Sequence, residues 1–170
     1  MDEVFTVNFD GGSRGNPGSA GTGVVVMAAD GTPLITVGRY IGHATNNVAE
    51  YTALIDALHQ AKALGARKLI VRGDSELIIK QMRGEYRVKN QTLRELYEQA
   101  TALAGDFESV RFEHNLRQHN SLADRLANLA MNRKQDVTDA DELPATPQSR
   151  GARRIVCPNC GCEIQTQGES

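Results

Sequence analysis

Four carboxylates, Asp10, Glu50, Asp74 and Asp124, stand where strand ends or helix starts are expected. Asp10 ends a run of β-branched and aromatic residues. Glu50 lies in the first turns of an expected helix, beside its apolar stripe. Asp74 closes a short apolar strand and opens a helix. Asp124 sits near the start of the last helix, between Leu122 and Leu126. An acid at the edge of an apolar element is costly unless something pairs with it. Gathered carboxylates repel one another, and a hard divalent cation is the natural remedy. Oxygen ligands suit Mg²⁺ or Mn²⁺ rather than zinc. Singly, each acid also has an ordinary reading. Asp10 and Asp74 serve as turn or cap residues, Glu50 is favoured by a helix dipole, and Asp124 is a solvated helix residue. It is the joint pattern, with the residues around each acid, that argues for one metal site.

The elements that must position these acids follow from periodicity. Residues 4–9 read as a strand, and 10–18 as a loop rich in Gly, Asn and Pro. A second strand spans about 21–29, the pair Asp30-Gly31 signals a hairpin turn, and a third strand covers about 33–41. Thr45 or Asn46 caps a helix that runs to about Leu64, with Val48, Tyr51, Leu54, Ile55 and Leu58 as its stripe and Gly65 as its stop. Lys68–Arg72 reads as a short buried parallel strand, and a helix follows from Gly73-Asp74-Ser75 to about Arg83. Helices over 91–104 and 120–133 enclose a fifth strand at 109–114. The order β-β-β-α-β-α-α-β-α implies an α/β domain, a mixed sheet with helices packed on it.

The residues around the acids carry a resemblance. Phe9-Asp10-Gly11-Gly12-Ser13-Arg14-Gly15-Asn16-Pro17-Gly18 resembles the opening signature of type 1 ribonuclease H. Thr45-Asn46-Asn47-Val48-Ala49-Glu50 is similar to that family's T-N-N-x-x-E segment, and Gly73-Asp74-Ser75 to its third motif. Asn120-Ser121-Leu122-Ala123-Asp124-Arg125-Leu126-Ala127 is similar to its N-x-x-A-D-x-L-A ending. The motifs stand in family order over about residues 4–133. The resemblance implies a ribonuclease H-like fold. Its five-stranded mixed sheet has three antiparallel strands, then parallel strands, with helices on both faces.

It further implies cleavage of the RNA strand of an RNA–DNA hybrid by two divalent ions, leaving 5′-phosphate and 3′-hydroxyl ends. Asp10 would bridge both ions. Asp124 would help hold the ion that prepares the water, with Glu50 and Asp74 on the leaving-group side. Gly11, Gly12 and Ser13 would bring the backbone near the hybrid's minor groove, where 2′-hydroxyls identify RNA. Asn16 and Asn47 would contact the hybrid, Asn46 is a similar candidate, and Thr45 would hold a DNA-strand phosphate. The same residues also suit turn formation and helix capping. The loop lacks the Gly-Lys-Ser/Thr ending of a nucleotide-binding P-loop.

The sequence departs from the family pattern in places. Many members carry a catalytic histidine in the loop before the last aspartate. Here that loop reads Glu113-His114-Asn115-Leu116-Arg117-Gln118-His119-Asn120. Arg117 resembles the arginine that a short subgroup carries instead; His114 and His119 are the alternatives, or ordinary loop residues. The basic protrusion of some relatives is missing. Arg83, Arg87 and Lys89, with Tyr86 among them, are either DNA-phosphate contacts or a solvated turn. Glu76 stands where relatives often carry Gln, which puts a base-edge contact in doubt.

Bulk properties set the limits. Net charge is −2 over 170 residues, so no overall basic field holds nucleic acid. Hydrophobic residues at 40% and charged ones at 24% are ordinary for a globular domain. No apolar run approaches a membrane span and the start lacks signal-peptide character, so a cytoplasmic protein is expected; a monomer is expected, with association through the tail as the alternative. Residues 1–134 read as the catalytic domain, 135–155 as a flexible polar linker, and 156–170 as a Cys-rich tail. Cys157, Cys160 and Cys162 resemble one knuckle of a zinc ribbon. With three ligands the site stays partial, closes through another chain, or is an unstructured reduced tail. Competing functions are a non-catalytic binding module, an integrase or resolvase on the same fold, and a tail-centred adaptor. The intact acids argue against the first. The TNN segment and the GGSRGNPG loop argue against the second, and deletion of 136–170 would test the third.

Overall fold

The computed structural model describes residues 3–116, 118 and 120–138. A long strand β1 (Val4–Arg14) turns into β2 (Gly18–Met27), which turns into β3 (Pro33–Ala44). Both pairings are antiparallel. On the other side of β1, β4 (Lys68–Gly73) pairs parallel to it, and β5 (Ser109–His114) pairs parallel to β4. The sheet order is β3-β2-β1-β4-β5, with β1 where the antiparallel and parallel halves meet. Helices α1 (Asn46–Ala63), α2 (Glu76–Met82), α3 (Gln91–Ala104) and α4 (Ser121–Arg133) complete the expected order.

The expected loop after Phe9 is corrected. Residues 10–14 are strand rather than loop: Asp10, Gly11, Gly12, Ser13 and Arg14 pair with Gly23, Thr22, Gly21, Ala20 and Ser19. Glycine lowers strand propensity but keeps both backbone hydrogen-bonding groups, and a facing strand satisfies them. The turn itself is confined to residues 15–17 and uses Gly15 at φ 101°. Asp10 therefore lies within a strand, not at its end.

Strand alternation feeds two cores. Val7, Phe9, Val24 and Val26 pack on one face with Tyr51, Leu54 and Leu58 of α1 and with Ile78 and Ile79 of α2. Val25 faces the other way, onto Ala123, Leu126 and Ala130 of α4. Helices thus cover both faces. Side-chain caps start three of them: Thr45, Ser75 and Asn90 accept hydrogen bonds from the N–H groups of Val48, Ile78 and Leu93. The buried face of α1 is wider than its expected stripe. Ala49, Ala53, Ala57 and Ala61 are buried, because α1 lies between the sheet and α3.

The expected boundary after residue 134 falls later. Val137 is 2% exposed within the α4 core and exchanges two 2.8 Å backbone hydrogen bonds with Gly38. Arg39 reaches Asp136 at 3.3 Å. The outer edge of β3 offers unpaired backbone groups, and this short strap meets them. Val137→Ala should cost about 1–2 kcal/mol, read as a lower urea midpoint with an unchanged slope. A loss below about 0.5 kcal/mol would mean that the strap holds nothing. The remainder of the linker and Cys157, Cys160 and Cys162 lie outside the described residues. Among the described residues no helix is long and apolar enough to cross a membrane.

Candidate active site

The parallel register brings two acids together. Phe9 of β1 pairs with Gly73 of β4, so Asp10 and Asp74, each one residue further on, emerge side by side. Glu50 comes from the first turns of α1 and Asp124 from the first turn of α4, which lie on opposite faces of the sheet. Both helices reach the site because glycines let them sit on the backbone. A Cβ on Gly11 would come within 2.3 Å of the Ala49 carbonyl, next to Glu50. One on Gly23 would come within 1.9 Å of the Ala123 carbonyl oxygen, next to Asp124. One on Gly73 would strike the Phe9 ring at 2.5 Å. Each seat thus involves a residue adjacent in sequence to one of the acids.

Asn120 adds a cross-tie. It is 1% exposed and precedes α4, yet it makes no side-chain cap. Its Nδ2 donates instead to the Phe9 carbonyl at 2.9 Å, binding the base of α4 to the strand that carries Asp10.

Carboxylate oxygens of Asp10, Glu50 and Asp74 all lie within 4.8 Å of one another. Asp124 approaches from α4 and shares a hydrogen bond with Asp10. Asp10 is 6% exposed. Burial, then the charges of Glu50 and Asp74 and the contact with Asp124, push its carboxyl up to about 9. Without a cation, burial and the neighbouring charges favour the protonated form of this carboxyl. An all-oxygen set under such mutual repulsion fits a hard divalent ion, and among the described residues no Cys joins it. The acids line an open cleft of about 510 Å³, walled by the β1–β2 hairpin on one side and by His114 on another.

A family model described as reverse transcriptase-like matches residues 8–130. The bifunctional protein Rv2228c of Mycobacterium tuberculosis is 45% identical over 157 residues, covering 86% of this chain and 43% of its own length. The chain thus spans less than half of that relative. The solved N-terminal RNase H domain of the same protein superposes with a TM-score of 0.75 at 48% identity, covering 77% of this chain and 95% of that one. The chain belongs to the ribonuclease H family. A further structure, LC11-RNase H1 in complex with an RNA/DNA hybrid, matches at a TM-score of 0.73 and 41% identity over 76% of this chain and 98% of that one.

Within this ribonuclease H fold, Gly11, Gly12, Ser13 and Asn46 line the acidic cleft. Asn46 accepts from the Ser13 N–H at 2.9 Å and from the Ser13 hydroxyl at 3.1 Å, while its own N–H goes to Asn16 Oδ1 at 3.0 Å. The hairpin tip is thereby tied to the start of α1. Asn47 is half-buried on the first turn of α1 and does not line the cleft. The Thr45 hydroxyl oxygen is the α1 cap. His114 ends β5 and lines the cleft, whereas Arg117 and His119 lie outside the described residues. Arg87 borders a separate hollow with Tyr86, Arg94 and Tyr97, and neither Arg87 nor Lys89 lines the acidic cleft. Glu76 is engaged by Lys80 at 2.8 Å.

Sequence reasoning passed over three residues here: Asn120, Arg14 and Asn128. Asn120 stands in the motif around Asp124 and at the start of the expected 120–133 helix, with no role of its own legible in the sequence. The latter two line the cleft and contact each other. The one sequence signal was a charged residue at the centre of a glycine-rich hairpin.

Proposed function

We propose that this chain is a ribonuclease H, hydrolysing the RNA strand of RNA–DNA hybrids at a two-metal site and leaving 5′-phosphate and 3′-hydroxyl ends. The observation that carries this reading is the gathering of Asp10, Glu50 and Asp74 within 4.8 Å, with Asp124 against Asp10, at the floor of an open cleft. The hybrid-bound relative supports the substrate. Asp10, Glu50, Asp74 and Asp124 would hold two Mg²⁺ or Mn²⁺ ions. When bound, such ions supply Lewis-acid activation of water and charge relief on the leaving oxygen.

The chain's own residues hold the carboxylates at fixed spacing and present the hybrid to them. Gly11, Gly12, Ser13 and Asn46 form the wall on which the RNA strand lies, with Asn16 behind Asn46. Asn47 and Thr45 would contact the hybrid beside them, and Arg87 and Lys89 its DNA strand further out. Arg117, by its resemblance, assists release or proton movement; His114, which lines the cleft, and His119 are the alternatives. The protein would work as a cytoplasmic monomer, with zinc or a partner chain engaging Cys157, Cys160 and Cys162.

The test is cleavage of a labelled RNA–DNA hybrid with Mg²⁺ or Mn²⁺, beside RNA–RNA and DNA–DNA duplexes. Equal cutting of all three would overturn the reading. Arg117→Ala and His114→Ala, measured separately, decide the loop. The residue that assists should lose about 10²–10⁴-fold in kcat, and the other less than about threefold.

A further inference from the structure

The acidic cleft contains one Arg or Lys side chain among its described lining residues, Arg14. Arg14 ends β1, paired with Ser19 at the hairpin. Its Nη2 donates to the Oδ1 of Asn128 at 3.2 Å and to the Asn128 carbonyl at 3.4 Å. Asn128 sits one turn beyond Asp124 on α4, and its Nδ2 donates back to the Asp124 carbonyl at 2.9 Å. Both contacts of Nη2 are thus with Asn128. Among the described residues Nε and Nη1 donate to nothing, and no carboxylate pairs with the guanidinium.

A cation beside four acids would ordinarily swing onto one of them. Here a neutral amide on the helix that carries Asp124 holds it by one edge instead. That leaves the Nε and Nη1 donors, pointing in different directions, and a full positive charge at the cleft wall, where each donor can meet a phosphate oxygen singly. Metal ions offset the charge of the phosphate being cut. The next phosphates along the same strand still meet a negatively charged cleft, and among its described lining residues Arg14 is the Arg or Lys cation available to them.

We propose that Arg14 binds a backbone phosphate of the strand being cleaved, next to the scissile one, and that Asn128 is the positioning residue that orients the Arg14 guanidinium. This rests on the hybrid-cleaving reading above. The alternative role for the pair is mechanical, a tie between hairpin and α4 with no substrate contact.

The test is hybrid binding at several salt concentrations by the full chain in an Asp10→Asn background, which prevents cutting. Alongside it, KM and kcat are measured in the otherwise unaltered protein. Arg14→Ala should weaken binding about tenfold at ~0.1 M salt. It should also flatten the plot of log affinity against log salt by about 0.7–0.9, the share of one phosphate contact. The loss should appear mainly in KM. Arg14→Gln keeps a hydrogen-bond donor without charge and should flatten the slope as Ala does. Arg14→Lys should restore the slope and only part of the affinity. Asn128→Ala should weaken binding about threefold with the slope retained. An unchanged slope in Arg14→Ala and Arg14→Gln, whether or not affinity falls, would overturn the proposal in favour of the mechanical tie. If the parent bound no hybrid at all, the hybrid-cleaving reading would fail first and take this one with it.

Discussion

Asp10→Asn should abolish hydrolysis and, in the same protein, stabilise the metal-free fold. The two effects have one cause. Asp10 is buried beside Glu50, Asp74 and Asp124, and its carboxyl is pushed up to about 9. In the proposed reaction it would be ionised and hold cations, which Asn cannot do with the same charge. The expected loss in kcat/KM is about 10³-fold or more, equivalent to at least about 4 kcal/mol. For stability the direction reverses. The folded chain holds the Asp10 proton far more tightly than the unfolded chain, whose aspartates titrate near 3.8. Its contribution is therefore least harmful below that value. Stability falls as pH rises from about 4 through about 9, because the unfolded chain gives up the proton first. Asn carries no such penalty.

Metal-free Asp10→Asn should thus gain on the order of 1–3 kcal/mol at neutral pH. Its stability should also depend less on pH between those limits. Divalent ions should stabilise the unsubstituted protein more strongly at higher pH, as they displace the proton. Thermal melts with chelator and with Mg²⁺, at several pH values, read all of this. Destabilisation of the metal-free protein by Asp10→Asn would show that the acids are not in conflict.

Gly23→Ala should be the most damaging single methyl in the described fold. Its Cβ would stand 1.9 Å from the Ala123 carbonyl oxygen and 2.8 Å from the carbonyl carbon, both backbone atoms. No rotamer change relieves that, so α4 must lift from the sheet. The core of Val25, Leu126 and Ala130 opens with it, at an expected cost of about 2–4 kcal/mol. Asp124 follows Ala123 directly and would leave Asp10, so activity should fall about 10²-fold or more even where the protein remains folded. Gly12→Ala is the contrast. Its nearest neighbour for a Cβ is Asn46 Oδ1 at 4.0 Å, so the fold should keep its stability within about 0.5 kcal/mol. Any loss of activity there belongs to the substrate surface. Urea unfolding and hybrid cleavage on both variants separate the two cases. Equal stability of Gly23→Ala and the parent would mean that α4 is not seated as described.

The order of elements and most helix starts could be read directly from the chain, because caps and periodicity act over a few residues. Thr45, Ser75 and Asn90 each cap a helix through a neighbour three positions on. The glycine-rich stretch was harder. Local composition argued for a loop after Phe9, and the β2 strand that pairs with it lies across the turn. The polar residues around Val137 suggest a flexible linker, whereas its burial depends on Gly38, far away in sequence.

By itself, the sequence determined which acids belong together and what chemistry they suit. Four motifs in family order carried that, and carboxylate oxygens select hard cations wherever they meet. Only the tertiary structure decided how they meet. The Phe9–Gly73 register sets Asp10 beside Asp74, and Gly11 and Gly23 admit Glu50 and Asp124 from opposite faces. It also decided that Arg14 is held by Asn128 rather than by an acid. Charge and hydrogen-bonding capacity belong to each residue type, whereas distance and burial arise from contacts between segments that the linear order keeps apart.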